Sequence, residues 1–538
     1  MIREETSGRP LRVSFDETTI RKVCLSIIVG FVDVMGKMQQ RVFKLGMYDE
    51  APEEKLTNTM SDHILHAITE VLDAPRSSIK LFSRDGVYLN ELCMLKLVGG
   101  NVVNPNNNLE VFMRGYYPEA VNIKCMSHTL DNCGADYVVN GVKHNRIEGP
   151  NAKIIYNQIN GLFSTTTEGT KLSWRNFSGS RMPSVSQTRW WSREEFWAYV
   201  LPYFKFEKVP KRKPWFDEWV QKRVENAQVE KKVLGANILK LQTSFVPGTK
   251  DFDEKFLVTA FVEIAVVVDV PKKVREATYL IEGDGPIAVM IVEILDSVAG
   301  YYRSVFEEMD FTNVRRHIAQ AVSLHIAPPG YDLRAPVLDE FDQNQRYASD
   351  PPLPQPVNNV NKEIAWDLVL AWKKYCLKLS APYMKYFNDM VMDHNCLPLW
   401  CAASMADPSN SGHKGRIMVT DLRTRIQPLM GKLVNSALLD RMIGELSEYE
   451  RSCRAIDWSN NSWAERLDKI ETFWSTRNLL PAWTEFAHLV FLLQPTSACV
   501  ERSFSMLKLI MGDQQTRSLR DEIEASLMLR FSRGGRVT

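Results

Sequence analysis

Two acidic residues stand where predicted strands end, and their type and position suit metal-dependent phosphoryl chemistry. Asp16 follows the first alternating run of the chain, and Asp85 follows a later one. With a third carboxylate from a helix, two such acids could hold two divalent ions about 3.5–4 Å apart, as in-line phosphoryl displacement requires. Taken singly, an Asp that closes a strand is more often a turn former or a cap. The spacing alone leaves both interpretations open.

A C-x-x-H pair, Cys125 and His128, has a spacing that also occurs in zinc sites. The sequence contains no second pair with finger spacing, and two ligands do not close a tetrahedral site. A buried structural thiol and a hydrogen-bonded histidine are the simpler interpretation.

A basic run, Lys208 to Lys213, places four positive charges in a stretch that holds no acid. Such a run either contacts phosphates or acts as a nuclear address, and with the second role we expect a nuclear protein.

Two consecutive tryptophans, Trp190 and Trp191, begin a predicted helix. A Trp at such a position is more often a core anchor, and we expect Trp191 to be the buried one of the two.

The elements that must position these residues begin with a predicted strand meander. Runs that alternate in polarity or are β-branched at strand length predict five strands. These are Leu11–Phe15, Cys24–Val32, Gln40–Met47, Ile79–Ser83 and Val121–Lys124. Apolar residues from Met60 to Val71 recur at helical spacing and predict a helix that packs across the sheet. The first part of the chain is therefore predicted to be a mixed α/β unit.

Long amphipathic or apolar segments without a strand meander predict a large α-helical block after about residue 190. The predicted helices are Trp190–Leu201, Phe216–Ala236, Ile287–Phe306, Asn361–Leu379, Thr420–Tyr449 and Trp463–Thr476. The proline-dense stretch Pro351–Pro356 favours extended backbone and predicts a hinge or spacer.

A pair of helices is predicted at the C-terminal end. Pro495–Ser497 supplies a capping start for the first helix. Each helix carries an apolar stripe at helical spacing, formed by Val500, Phe504, Leu507 and Met511 in the first and by Leu519, Ile523, Leu527 and Phe531 in the second. Two stripes this close must pack against another part of the molecule.

The composition is that of a soluble intracellular chain, with 538 residues, 45% of them apolar and 24% charged. Nine cysteines without a C-x-x-C pair argue against a disulfide framework. The apolar run Phe256–Val270 contains Glu263 and Asp269 and is shorter than the ~20 residues of a bilayer helix, so no membrane partner is expected. Because the net charge is only +1, any DNA contact must come from local patches.

Five short motifs occur in the order in which hAT-superfamily DNA transposases place theirs. They lie at Ser14–Thr18, Ser83–Gly86, Cys125–His128, Thr188–Ser192 and Thr496–Ser505. The last is the most specific, because a Ser-Ala-x-x-Glu-Arg-x-Phe-Ser run that opens the C-terminal helices resembles the dimerisation region of that family. The chain thus resembles an hAT transposase over nearly its whole length, as a series of islands.

The resemblance implies a fold of class α/β plus all-α, in which an RNase H-like mixed sheet is interrupted by a large α-helical insertion. Residues 1–190 would form the first part of the core and residues 191–490 the insertion. Residues 491–538 would be C-terminal helices that return to the core and form the dimerisation region, giving a DNA-binding homodimer. The predicted strand order agrees, because an RNase H-like core carries its first acid on the first strand and its second after the fourth.

By the same resemblance, Asp16, Asp85 and Glu501 would form a catalytic Asp-Asp-Glu set that holds two Mg²⁺ or Mn²⁺ ions. Family members use such a set to cut at transposon ends, leaving a hairpin on the flanking DNA, and to join the freed 3′ hydroxyls to a target. His128 is implied to touch the scissile phosphate.

DNA contacts are implied for two further regions. Arg189 would contact phosphate, and Trp190 would stack on a displaced base, an interaction worth roughly 1–3 kcal/mol per base. Lys211, Arg212 and Lys213 would add phosphate contacts.

The sequence departs from the family pattern at its beginning. Family members usually carry a zinc-binding BED finger ahead of the first acid, whereas only 15 residues precede Asp16 and none is Cys or His. A domesticated, non-catalytic protein that binds DNA or partner proteins is therefore the alternative prediction. A helical interaction scaffold without a nucleic-acid role is a third, consistent with the nearly neutral charge.

Overall fold

A computed structural model describes the chain in two units. The described residues are 2–20, 22–48, 63–84, 97–98, 101–102, 115–133, 149–165, 168–183, 185, 191–204, 216–229, 236–246, 248–306, 384–385, 387–392, 396–413, 417–459, 462–476, 479–511 and 520–533. The sheet unit comprises Met1–Leu130, Glu276–Ser297 and Asp389–Thr538, and the helical unit comprises Asp131–Arg275 and Val298–Asn388. The domain boundaries predicted at residues 190 and 490 stay predictions.

A five-stranded mixed sheet forms the centre of the sheet unit. Its strands are β1 (Leu11–Ile20), β2 (Lys22–Val32), β3 (Met38–Tyr48), β4 (Ile79–Arg84) and β5 (Val121–Lys124). The order across the sheet is β3-β2-β1-β4-β5; β1 pairs antiparallel with β2 and parallel with β4. The mixed α/β class and all five predicted strands are confirmed, but β1 continues past its predicted end at Phe15 to Ile20, so Asp16 lies within the strand and does not close it. A separate two-stranded pair joins Leu97–Val98 and Asn101–Val102.

Helices account for most of the remaining described residues. Up to residue 306 they are α1 (Ile2–Thr6), α2 (Met126–Cys133), α3 (Pro150–Thr165), α4 (Glu168–Ser178), α5 (Ser192–Val200), α6 (Phe216–Val229), α7 (Ala236–Phe245), α8 (Glu254–Asp269), α9 (Lys272–Ile281) and α10 (Ile291–Phe306). Later ones are α11 (Leu397–Ala403), α12 (Pro408–His413), α13 (Val419–Ile426), α14 (Ser436–Gly444), α15 (Leu446–Arg454), α16 (Trp463–Thr476), α17 (Pro481–Phe491), α18 (Ala498–Met511) and α19 (Arg520–Arg533). Shorter 3₁₀ or π turns occupy Ala67–Leu72, Arg76–Ser78, Leu201–Tyr203, Ile287–Met290, Phe387–Met392, Ser404–Ala406 and Gln427–Leu429.

The two faces of the sheet bury different side chains, because successive residues of a strand point to opposite faces. On one face Leu11, Val13 and Phe15 of β1 pack in a core with the turn Ala67–Leu72. The predicted helix that crosses the sheet is thereby confirmed within the described residues. The even-numbered residues of β1, Asp16 among them, belong to the opposite face.

The C-terminal helices cover that opposite face. Val500, Phe504 and Leu507 of α18 and Ile523 and Leu527 of α19 are buried in one cluster. The same cluster contains Cys24, Ile28, Val42 and Leu45 of the sheet. The helical pair predicted from the two apolar stripes is therefore present, and the described residues of the stripes pack against the sheet of their own chain. Leu519 and the Met511 side chain lie outside the described part.

One predicted helix proved wrong in extent. Thr420–Tyr449 is not continuous, because α13 ends at Ile426 and a turn with Pro428 follows. Gly431 then adopts a positive φ of 75°, and the Asn435 side chain caps α14 by accepting from the Leu438 N–H (2.8 Å). The predicted helix Trp463–Thr476 is confirmed as α16. Asn361–Leu379 and the proline-dense stretch lie outside the described residues.

A buried carboxylate organises the helical unit. Glu263 lies on α8, is 1% exposed, and accepts hydrogen bonds from the Ala152 N–H (2.7 Å) and Asn151 Nδ2 (2.9 Å) at the start of α3. It accepts from a first-turn backbone N–H, that of Ala152, which has no partner within α3, and interacts favourably with the helix dipole. In the part of the chain described, no helix has the length and apolar character to cross a bilayer.

Replacing Gly149 with Ala should destabilise the helical unit. A Cβ at this position would overlap the Glu263 carboxylate, and overpacking of this kind costs about 1–3 kcal/mol. Urea unfolding measures the free energy. Gly300→Ala on α10 is the matched control, because its Cβ would meet no atom within 4 Å and Ala favours a helix by about 1 kcal/mol. Equal effects of the two substitutions would contradict this account.

Candidate active site

Asp16 lies on β1, near the middle of the sheet, and is partly exposed. It pairs across the antiparallel ladder with Ser26 of β2. Directly opposed residues of such a pair share one face, with Cβ atoms about 4.5–5.5 Å apart. The Ser26 hydroxyl lies 2.8 Å from the Ser503 hydroxyl of α18. The side chain of Asp16 is therefore on the face that α18 covers.

Glu501 lies in the first turn of α18, where a carboxylate interacts favourably with the helix dipole. Two residues before it, the Cys499 thiol accepts from Arg12 of β1 (3.9 Å); two residues after it, Ser503 contacts the neighbour of Asp16. Since a helix rises 1.5 Å per residue, Glu501 lies within about 3 Å along the axis of both contacts.

Four motif residues form a buried hydrogen-bonded group, the Thr496 cluster, which consists of Ser83, Cys125, Ser127 and Thr496. The hydroxyls of Ser127 and Thr496 are 2.8 Å apart, and Cys125 Sγ is 3.1 Å from the Ser127 hydroxyl. Ser83 donates to the Thr496 carbonyl at 3.5 Å. The cluster therefore joins the end of β4, the start of α2 and the segment before α18.

Backbone groups reinforce the Thr496 cluster. The Ala498 N–H donates to Thr496 Oγ1 (3.0 Å), and the Ser497 N–H donates to Cys125 Sγ (3.4 Å). The Met126 N–H donates to the Pro495 carbonyl (2.6 Å). The first turn of α18 is thus held by partners more than 350 residues away in sequence.

The loop that follows α9, residues 282–285, also holds α18. Arg502 donates to the Glu282 carbonyl (2.9 Å) and pairs with Asp284 (2.7 Å). Gln494 donates to the Gly285 carbonyl (2.9 Å). These contacts of residues 282–285 restrict the rotation of α18 about its axis.

Arg12 is a fully buried cation on the same strand face as Asp16. Burial lowers the pKa of its guanidinium, and Arg502 lowers it further, while Cys499 and Asp284 act in the opposite direction. Gly30, its partner across β2, leaves the space, because a Cβ there would lie 3.1 Å from Arg12 Nε. A buried positive charge favours the ionised form of carboxylates near it. Hydropathy did not predict its burial, since Arg12 occupies a polar position of the alternating run, where an exposed side chain is expected.

His128 and Cys125 lie at the start of α2, and their roles differ. Cys125 is buried and belongs to the Thr496 cluster, which confirms the interpretation as a structural thiol. His128 is partly exposed and follows Ser127 directly. The C-x-x-H pair therefore places Cys125 in the packed interior and His128 beside the cluster, partly exposed but with its Nδ1 buried.

Several predicted site residues lie outside the described part of the chain. They are Asp85, Arg189, Trp190, Lys211, Arg212 and Lys213. Among the residues that are described, no three His, Cys, Asp or Glu side chains are grouped so that they could hold a metal ion. Because Asp85 is not among them, the predicted three-acid set stays a prediction.

Trp191, which follows the predicted DNA-contacting pair, is fully buried as expected. Its backbone is left-handed, with φ 54° and ψ 7°. This conformation costs a residue with a side chain roughly 1–2 kcal/mol. Strain of this kind is concentrated at functional sites.

No protein-family model matches the chain, and no curated protein sequence matches it. The hAT interpretation therefore depends on the five motif islands and on the geometry described above.

Replacing Thr496 with Val should destabilise the sheet unit by about 1–3 kcal/mol. The substitution keeps the shape but leaves the buried Ser127 hydroxyl and Ala498 N–H without this partner. Urea unfolding measures the loss. The matched control is Thr472→Val, where an exposed hydroxyl donates to the Asp468 carbonyl and the change should stay within about 0.5 kcal/mol. Similar losses in both variants would refute the role of the cluster.

Proposed function

We propose that the protein is an hAT-like transposase, or a protein derived from one, that cleaves and joins DNA with a metal-dependent Asp-Asp-Glu site. The observation that carries the proposal is the pairing of β1 and β4 as central, parallel neighbours. Phe15 of β1 pairs with Arg84 of β4, and the next residues in sequence are Asp16 and Asp85. β4 ends at Arg84 while β1 continues to Ile20, so Asp16 lies on β1 beside the carboxyl end of β4, where the two acids of a shared metal site would meet.

The third acid is supported by the packing of α18. This helix covers the face that bears Asp16, and contacts on both sides of Glu501 tie it to β1 and β2. Glu501 is partly exposed, but its Oε1 is buried, so one oxygen of the carboxylate faces the protein. An RNase H-like core with a C-terminal helix that returns to the sheet is the fold we propose on this basis.

The donor set suits magnesium or manganese, because both prefer carboxylate oxygens. Asp16, Asp85 and Glu501 would hold the ions, which polarise the phosphate and activate the attacking oxygen. The protein's own contribution is rigidity. The Thr496 cluster and the Arg502–Asp284 pair keep Glu501 at one position relative to β1, so that little reorganisation is needed when the substrate binds.

The remaining site residues follow from the same proposal. His128 would contact the scissile phosphate, and its position beside Ser127, which bonds Thr496, supports this role. Arg189 and Trp190 would hold phosphate and a displaced base, and the strained backbone of Trp191 directly after them supports a functional constraint there. Lys211, Arg212 and Lys213 would contact flanking phosphates or direct the protein to the nucleus.

A homodimer through the C-terminal region is also part of the proposal. The apolar stripes of α18 and α19 are buried against the sheet, so a dimer must use outward-facing side chains. Leu529 on α19 is one such residue, since it is 56% exposed.

Substitution of any of the three acids should abolish DNA cleavage. Asp16→Asn, Asp85→Asn and Glu501→Gln remove a metal-binding charge with little change of shape. We expect each to reduce nicking of supercoiled plasmid in Mg²⁺ or Mn²⁺ by more than the roughly 10–100-fold typical of lost outer-shell partners. EDTA should stop the reaction in the unsubstituted protein, and added Mg²⁺ should restore it.

Asp440→Asn on α14 is the control for these variants. This acid is 68% exposed and forms a surface ion pair with Arg423 at 3.5 Å, so its loss should leave nicking unchanged. Equal activity in the unsubstituted protein and the three acid variants would rule out the proposed site. If the purified protein binds DNA but never cleaves it, the domesticated, non-catalytic alternative is favoured.

A further inference from the structure

A cavity of about 610 Å³ lies in the helical unit beside α4. Its volume is within the roughly 300–1,000 Å³ usual for ligand sites. Three of the described lining residues are cationic, Lys171, Arg175 and Arg181, and none is acidic. Most of the others are apolar, among them Phe163 and Phe196. The lining would suit a ligand that carries negative charge and also has flat apolar surface.

The three cations are available to a ligand. Each is exposed, and with the residues that the structure describes none of them forms a hydrogen bond or an ion pair. Lys171 and Arg175 are one helical turn apart on α4, so their Cβ atoms are about 5–6 Å apart. Two positive charges at this spacing, without a compensating acid, create a local attraction for anions.

A fixed turn brings the third cation back to the cavity. Gly179 follows α4 with a positive φ of 77°, a conformation that glycine adopts at little cost. The Ser178 hydroxyl donates to the Ser180 carbonyl (2.9 Å), and the Ser180 hydroxyl is 2.8 Å from the Tyr199 hydroxyl of α5. Arg181 therefore follows a turn that is anchored at both ends, which reduces the entropy lost when a ligand binds.

The apolar part of the lining is rigid. Phe163 stacks on Trp219 at 5.8 Å between ring centroids and packs edge-on against Trp174 at 6.1 Å. Leu172 lines the cavity and is 55% exposed, so a ligand could cover apolar surface that now faces water. Cations next to preorganised aromatic surface are the combination that binds single-stranded nucleic acid.

We propose that this cavity binds a short single-stranded segment of nucleic acid. Its phosphates would contact Lys171, Arg175 and Arg181, and a base would lie against the apolar lining near Phe163. The inference rests on the proposed function in taking DNA as the substrate, but it needs none of the three acids. An acidic peptide would meet the same cations without needing the flat apolar surface, which allows the two ligands to be distinguished.

The test is binding of a fluorescein-labelled oligothymidylate of about ten nucleotides, a length within the usual range for single-strand sites. Fluorescence anisotropy is measured in EDTA over a range of salt concentrations. The double substitution Lys171→Ala with Arg175→Ala should weaken binding at least about tenfold. The slope of log K against log salt is negative, and each lost phosphate contact reduces its magnitude by about 0.7. The double substitution should therefore reduce the magnitude by about 1.4.

The matched control replaces two exposed lysines of the same unit that do not line the cavity. Lys153→Ala with Lys240→Ala removes the same charge from α3 and α7 and should leave affinity and slope unchanged. Equal losses in the two double variants would overturn the assignment by showing that the attraction is diffuse. Thermal unfolding checks that both variants keep their fold.

Two further probes test the nature of the ligand and the link to the proposed function. An oligonucleotide of equal charge with one abasic residue should bind about 5–150-fold more weakly, because one stacked base is lost. Equal affinity for that oligonucleotide, or tighter binding of polyglutamate, would overturn the nucleic-acid assignment. Asp16→Asn should still bind the oligonucleotide with unchanged affinity. If the unsubstituted protein never cleaves DNA while the cavity variants lose oligonucleotide binding, only the proposed function is refuted.

Discussion

The buried contact between Thr496 and Ser127 is the constraint on which the candidate active site depends. Both hydroxyls are shielded from water, and breaking a buried hydrogen bond of this kind costs about 1–3 kcal/mol when the partner is left unsatisfied. The Thr496 side chain also accepts from the Ala498 N–H, so the bond that joins α2 to this segment also sets the first residue of α18. A shift of α18 by one residue would rotate Glu501 by about 100° and move it from the sheet.

Much of the fold could be predicted from the sequence because its periodicities are strong. The alternation in β1 matches the two-residue period of a strand, and the apolar stripes of α18 and α19 match the roughly 3.6-residue period of a helix. The structure contains the corresponding strand and helices. The error at Thr420–Tyr449 arose where apolar spacing continued across residues that stop a helix. Pro428, the positive φ of Gly431 and the Asn435 cap together outweigh the periodicity.

The site was harder to predict, because its positions are determined by partners far away in sequence. Asp16 and Glu501 were identified from short motifs, yet neither motif predicts the contact between Ser26, which pairs with Asp16, and Ser503, two residues after Glu501. Arg12 is polar on a buried strand face, and only the missing side chain of Gly30 makes room for it. Glu263, similarly, interrupts an apolar run for a reason that lies at the start of α3. Local patterns carry no information about such contacts.

The packing of the last helices on the first strands has a consequence for synthesis of the chain. Ser26 and Ser503 are 477 residues apart, so at roughly 5–20 residues per second the ribosome completes α18 about 25–95 s after β2. Throughout that interval Ile28, Val42 and Leu45 have no helix to cover them. The nascent sheet is therefore a natural client for molecular chaperones, and slowed elongation in the helical region would prolong its exposure to aggregation.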